Sequence, residues 1–170
     1  MTNLNTQPDP AGMSPQQLAE ACAQAMFARD TATQALEMEI LEIAPGSALI
    51  RMPVGPRMIQ GHNSCHGGYI FTLADSAFAF ACNTYNAITL GAGCSIDYLA
   101  PAKLGDLLCA RAQERSRSGR TGVYDVTIEN QHGDCIALFR GKSHQVRGTL
   151  LPEPADTQLS DQPAVKETRA

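Results

Sequence analysis

The chain has 170 residues, 44% of them hydrophobic and 18% charged, with a formal net charge of -4. That length and apolar content predict one globular domain with a genuine core, and the negative balance excludes a domain-wide phosphate-binding surface, so nucleic acid is not an expected partner. Six cysteines (Cys22, Cys65, Cys82, Cys94, Cys109, Cys135) lack paired spacing, and the start MTNLNTQPDPAG carries no charged-then-apolar leader. We read them as reduced thiols in a cytoplasmic protein. No apolar run reaches the roughly 18 to 20 residues that span a bilayer, because Asp75 interrupts the longest candidate, so no membrane is expected either.

In chain order, residues 1–13 read as a flexible tail, 14–149 as the ordered domain and 150–170 as a second flexible tail. Ser14-Pro15-Gln16-Gln17 forms a capping box with proline at the first helical position, and Leu18, Cys22 and Met26 follow at helical spacing, so a helix is predicted over about 15–29. The period then changes to two. Leu36, Met38 and Ile40 alternate with glutamates, Pro45-Gly46 makes a turn, and Ile50, Met52 and Val54 alternate with Arg51 and Pro53, which predicts a strand pair. After a long apolar helix over 66–83 come strands around Cys94–Tyr98, Leu107–Arg111, Tyr124–Ile128 and Cys135–Val146, separated by breaks at 101–106, 116–122 and 131–134. Four strands on short turns predict an antiparallel meander. The sum is an α+β fold in which a curved antiparallel sheet wraps one long central helix.

That helix carries the chemistry. Ile70, Leu73, Ala74, Ala77, Phe78 and Ala81 share the face that packs on the sheet, whereas Thr72, Asp75, Ser76, Ala79 and Asn83 form a narrow stripe of small and polar groups. Asp75 either bonds a backbone group across an interface, or is a carboxylate in an apolar cleft, made more basic by desolvation. The helix opens on His66-Gly67-Gly68, a start whose glycines let a ligand approach free N–H groups at the positive dipole end. Such donors suit an oxygen gaining negative charge. Gly67 and Asp75 stand roughly 12 Å apart along the axis at 1.5 Å per residue, so one carbonyl cannot meet both on one helix. If both act, the second group comes from another subunit, which predicts a homodimer with antiparallel central helices.

The blocks GHNSCHGGYIFTLADSAFAFACN, SIDYLAPAKLGD, TGVYDVTIENQ and ALFRGKSH, in this order over 14–148, closely resemble hotdog-fold acyl-CoA thioesterases of the phenylacetate-degradation type, the PaaI family. The resemblance implies a hotdog fold, hydrolysis of phenylacetyl-CoA or ring-hydroxylated analogues without a cofactor, and a dimer of hotdog dimers with sites at the subunit interface. It further implies that Asp75 is nucleophile or general base, that Gly67 supplies an oxyanion N–H, and that His66 orients the loop or hydrogen-bonds the carbonyl. Gly68 and Ser76 are assigned to substrate binding on the same basis. Where the family has asparagine six residues before the histidine, holding the carboxylate or the attacking water, this chain has Gln60. A serine or threonine on the far side of the site has no clear match in Thr89–Cys94, and Ser95 is a weak substitute.

Other constellations weigh less. Cys65 and His66 are adjacent and do not face one another on a helix, and His62, Cys65 and His66 lack a fourth ligand at ordinary spacing, so no metal is expected. Arg115, Arg117 and Arg120 read as a solvated hairpin tip or as contacts for CoA phosphates, with Arg120 and Lys142 the chosen candidates and Arg140 equally ambiguous. Tyr69, Phe71 and Tyr98 are core or aryl-pocket residues; His132 and His144 carry no chemical reading. Two rival functions stand: a hydratase or dehydratase of hydroxyacyl thioesters, which uses a histidine and an acid, and a non-catalytic acyl-CoA-binding regulator. The latter needs a DNA-reading module, which residues 1–13 are too short to be.

Overall fold

The computed structural model describes residues 10–152; the outer parts of both predicted tails, 1–9 and 153–170, lie outside the described residues. Helix α1 (Pro15–Phe27) starts as expected, with the Gln17 N–H donating to Ser14 Oγ and the Ser14 N–H donating to Gln17 Oε1. It ends two residues early. A short helix α2 (Thr31–Ala35) follows, capped by Asp30, whose Oδ1 accepts the Thr33 N–H at 2.9 Å. The alternation from Leu36 therefore does not begin a strand: the Asp30 cap directs the chain into a turn of helix, and β1 (Glu39–Ala44) opens only after Glu37 reverses direction at φ 54°. Strand β2 (Ser47–Pro53) pairs with it antiparallel.

Helix α3 (Gly67–Cys82) then carries the chain across the sheet to β3 (Thr89–Tyr98), and β4 (Leu107–Ser118), β5 (Thr121–Glu129) and β6 (Cys135–Gln145) complete it. The order across the sheet is β1-β2-β4-β5-β6-β3. This corrects the four-strand meander. Only β4, β5 and β6 follow one another; β3 lies at the far edge, paired with β6 from Thr89↔Gln145 to Tyr98↔Ala137, while β4 sits beside β2. The separation follows from α3, which at 16 residues is roughly 24 Å long and delivers the chain to the opposite edge. The break predicted at 116–122 also closes up, because Gly119 at φ 55° lets Gly119-Arg120 turn in two residues.

The predicted inner face of α3 is buried in full, and Phe80 on its flank meets Phe27 of α1 at 6.4 Å between ring centroids. Phe78 anchors the core against Tyr124 and Phe139, at 5.4 and 5.9 Å, and Phe71 packs edge-on to Phe139 at 5.6 Å. Such pairs add about 0.5–1.5 kcal/mol each beyond their area. The two sheet edges differ in kind. On β1, Glu39 and Glu42 are paired with Arg51 and Arg111, and a bulge interrupts the register between Ile40 and Glu42. The outer edge of β3 has one charged residue, Asp97, and no partner strand among the described residues.

Candidate active site

His66 caps α3. Its backbone N–H donates to Met58 O at 2.8 Å, which fixes the entry to the helix, and its Nδ1 accepts the Gly68 N–H at 2.9 Å. The Gly68 donor is thereby spent. The Gly67 N–H meets no acceptor among the described residues, so the helix start offers one open donor at its positive end. Tyr98 lies directly over it: its hydroxyl donates to Gly67 O at 2.8 Å, and a Cβ at position 67 would fall 2.9 Å from Tyr98 Cζ. Glycine is favoured here by close approach rather than by backbone angle. Beside it a cleft of about 460 Å³ runs along Cys65, Ile70 and the exposed Leu99.

Asp75 occupies a second cleft, of about 670 Å³, between α3 and β3. Its carboxyl makes no hydrogen bond or ion pair among the described residues. One side of it is open to solvent, but Phe71, Phe78 and Ala79 wall the other, and this burial pushes its pKa above the usual 3.8. The exposed Cys94 thiol shares the cleft and is also pushed up, by burial first and by the neighbouring Asp75 charge second. Within the described residues no backbone group bonds the Asp75 carboxyl, and its burial on one side is the feature that the reading of a carboxylate in an apolar cleft requires.

The remaining expected residues are distributed unevenly. The Gln60 amide is held inside its own loop, with Oε1 accepting the His62 N–H and Nε2 donating to Ser64 Oγ, each at 2.8 Å. Ser76 turns from the cleft toward α2, with its hydroxyl 3.3 Å from Thr33 Oγ1. Arg120 at the β4–β5 turn gives both Nε and Nη2 to Gln145 O, at 2.9 and 2.7 Å. Lys142 is exposed on the sheet face away from α3, since its neighbours Gly141 and Ser143 point inward. The other basic candidates have partners in the chain: Arg115 and Arg140 both bind Asp125, and Arg117 lies 3.7 Å over the Tyr85 ring. Of the three aromatic candidates, Phe71 lines the Asp75 cleft and Tyr98 the Gly67 cleft, whereas Tyr69 lies apart beside Arg57 and Met58. Among the described residues no three metal-ligating side chains come together.

Sequence reasoning missed Asn83 as a structural tie and Leu150 as a wall of the Asp75 cleft. Asn83 was legible as the last member of the polar stripe; Leu150 had no local signal.

Comparison with known proteins decides what this constellation belongs to. Residues 62–137 match the family model described as "Thioesterase superfamily". The chain is 46% identical over 131 residues to the acyl-coenzyme A thioesterase PaaI of Escherichia coli, which covers 77% of this chain and 94% of that protein. It belongs to the hotdog-fold acyl-CoA thioesterases of the PaaI type. The solved E. coli PaaI structure superposes on this thioesterase with a TM-score of 0.79 at 45% identity, covering 80% of this chain and 99% of that one. A variant of the phenylacetic acid degradation protein PaaI from Thermus thermophilus gives 0.66 at 36% identity, covering 69% and 100%. A hypothetical thioesterase from Streptococcus pneumoniae, solved with coenzyme A, gives 0.67 at 26%, covering 74% and 96%. The α+β hotdog fold and thioester hydrolysis are therefore properties of the chain, and acyl-CoA is its substrate class.

Proposed function

We propose that this thioesterase hydrolyses arylacetyl-CoA thioesters, phenylacetyl-CoA or ring-hydroxylated analogues, at sites shared between two copies of the chain. The observation that carries this reading is the placement of two unspent groups on one rigid helix: the Gly67 N–H at its start and the unpaired Asp75 carboxyl eight residues on, roughly 12 Å along the axis. Each lies in its own cleft. Neither cleft holds both groups, but one from each of two chains makes a complete set. The open edge of β3 supports such pairing, because a long, nearly uncharged edge with Leu90 and Tyr98 more than half exposed invites a second strand.

In this site the Gly67 N–H of one chain takes the thioester oxygen as charge develops on it. Asp75 of the other chain attacks the carbonyl carbon or draws a proton from water that does so; CoA leaves as thiolate in either case. The raised pKa of Asp75 makes it a stronger base than a fully solvated aspartate. Phe71 and Phe78 beside the carboxyl suit an aryl group, and the E. coli relative is described as coming from a phenylacetic acid degradation operon and the T. thermophilus one as a phenylacetic acid degradation protein. Six free cysteines fit a reducing, cytoplasmic compartment. The hydratase reading needs a histidine that accepts a proton at carbon, but His66 Nδ1 is already an acceptor for the Gly68 N–H, which leaves hydrogen on Nε2 and makes the ring a donor.

The test is free-thiol release from phenylacetyl-, hydroxyphenylacetyl-, benzoyl- and straight-chain acyl-CoAs by wild type and Asp75→Asn, alongside sedimentation of both. Fast release confined to arylacetyl substrates, lost in the variant, in a protein that sediments as a dimer or dimer of dimers, is expected. A fully active monomer sinks the shared site, and a preference for straight chains sinks the substrate assignment.

A further inference from the structure

The cleft holding Asp75 is a groove between α3 and β3 whose far end is built from distant parts of the chain. From Asp75, α3 presents Ala79 and Asn83 along the groove, roughly 6 and 12 Å further on. There Asn83 ties helix to strand: Nδ2 donates to Thr89 O at 2.8 Å, and the Thr89 N–H donates to Asn83 Oδ1 at 2.9 Å. Three apolar side chains line this end, Met26 from α1, Ile88, and Leu150 from the segment after β6.

Leu150 belongs to no helix or strand, so something else must hold it. That is Asn86. Its Oδ1 accepts the N–H groups of Leu150 and Leu151, at 3.1 and 2.8 Å, from a backbone in the left-handed region at φ 54°. Cys22 of α1 contacts the same oxygen through Sγ at 3.9 Å. Leu151, 6% exposed, anchors the segment in the interior, and backbone bonds from Ile88 N–H to Gly148 O and from Val146 N–H to Ile88 O hold its approach. One amide oxygen thus fixes the position of Leu150 against the groove.

We propose that Leu150 is the end stop of the acyl groove, and that Asn86 is the positioning residue that sets it. The inference rests on Asp75 as the reacting carboxylate. The acyl group of the bound thioester runs from Asp75 toward Asn83, and the longest group accepted is the one that ends against Leu150. Because the wall is apolar on all three sides, it recognises a hydrocarbon or aryl terminus and sorts it by length. One methylene too many or too few in such a pocket changes kcat/KM by about tenfold or more.

Four variants test this: Leu150→Ala, Leu150→Trp, Asn86→Gly and Asn86→Asp. Glycine at 86 keeps the left-handed backbone and removes the acceptor, whereas aspartate keeps an oxygen for both N–H groups. The readouts are kcat/KM for thiol release across straight-chain acyl-CoAs of increasing length and phenylacetyl-CoA, and calorimetric Kd for the matching non-hydrolysable thioethers. Leu150→Ala and Asn86→Gly are expected to raise the long-to-short ratio by about tenfold, Leu150→Trp to lower it by as much, and Asn86→Asp to keep the wild-type order. An unchanged length order in both Leu150 variants overturns the proposal, even if Asn86→Gly fails to fold. Full turnover by Asp75→Asn would instead overturn the site reading, and the thioether Kd series then decides the end stop alone: a length limit that moves with residue 150 upholds it, and one that does not overturns it.

Discussion

Gly67→Ala puts one methyl group where the structure has no room for it. The new carbon would stand 2.9 Å from Tyr98 Cζ, 3.0 Å from its hydroxyl oxygen and 3.3 Å from Cε1. Ordinary carbon contacts begin at about 3.5 Å, so the ring must withdraw by about half an ångström. Tyr98 is 51% exposed and has solvent to withdraw into, so the overlap is relieved by motion, at the expense of the 2.8 Å hydroxyl bond to Gly67 O. A lost bond of this kind costs about 1 kcal/mol and residual crowding about as much again, which for a chain of this size lowers Tm by about 4–8 °C. Catalysis should suffer more. Removing an oxyanion donor costs about 10²–10³ in kcat; alanine keeps the N–H but loses the Tyr98 bond that holds this residue in line, so its loss belongs at the lower end of that range. Thiol release at saturating acyl-CoA, beside thermal melting, measures both. Because Tyr98 is the obstacle, Gly67→Ala should lose its effect in a Tyr98→Ala background that is itself active. Undiminished kcat in the single variant, or the same loss in both backgrounds, would refute the reasoning.

Asp75→Asn should abolish turnover and raise Tm at neutral pH. Burial raises the carboxyl pKa in the fold, so the charged form costs stability above that raised value, the cost declines as pH falls through it, and it is gone below the ordinary 3.8. Melting curves of both proteins should converge there, and the acid limb of wild-type activity should have an apparent pKa above 3.8. Gly141→Ala would set a Cβ 2.9 Å from three ring carbons of Phe78, which is 1% exposed and cannot withdraw, so we expect about 3 kcal/mol of destabilisation, read by denaturant titration and thermal melting. A smaller Tm loss than for Gly67→Ala would contradict the packing argument. Asp125 is held below the usual carboxylate range by its hydrogen bond from Arg140 and then by Arg115, stability that is present above 3.8 and lost as pH falls through the lowered value. Since both arginines are more than half exposed, Asp125→Asn should cost less than about 1 kcal/mol at neutral pH, and added salt should shrink the difference.

The parts of the fold that were legible in the sequence are those in which local pattern and tertiary packing agree. The apolar face of α3 is such a case: its spacing named six residues, and all six are buried. The capping box at Ser14 is another. Position across the sheet was not legible, because hydrogen-bonding strands leave no record in sequence of which neighbour they choose; β3 reads much the same beside β4 as beside β6. Within the site, the polar stripe on α3 pointed to Asp75, and the His66-Gly67-Gly68 start pointed to an open donor. What pattern left hidden was partnership. Nothing local shows that His66 takes up the Gly68 N–H, that the Gln60 amide closes on its own loop, or that the Arg120 guanidinium is bound to Gln145 O. Leu150 reads as tail because its order depends on a side chain 64 residues away.

Gly67 and Asp75 sit on one unbroken helix, so no motion of one chain can bring them together, and in a pair built as proposed two impaired proteins should repair each other. Mixing Gly67→Ala with Asp75→Asn under conditions that exchange subunits gives hybrids in which one site carries both defects and the other carries neither. Activity rising well above that of either parent would make inheritance of the site a property of the pair, much as two damaged copies of one gene can complement.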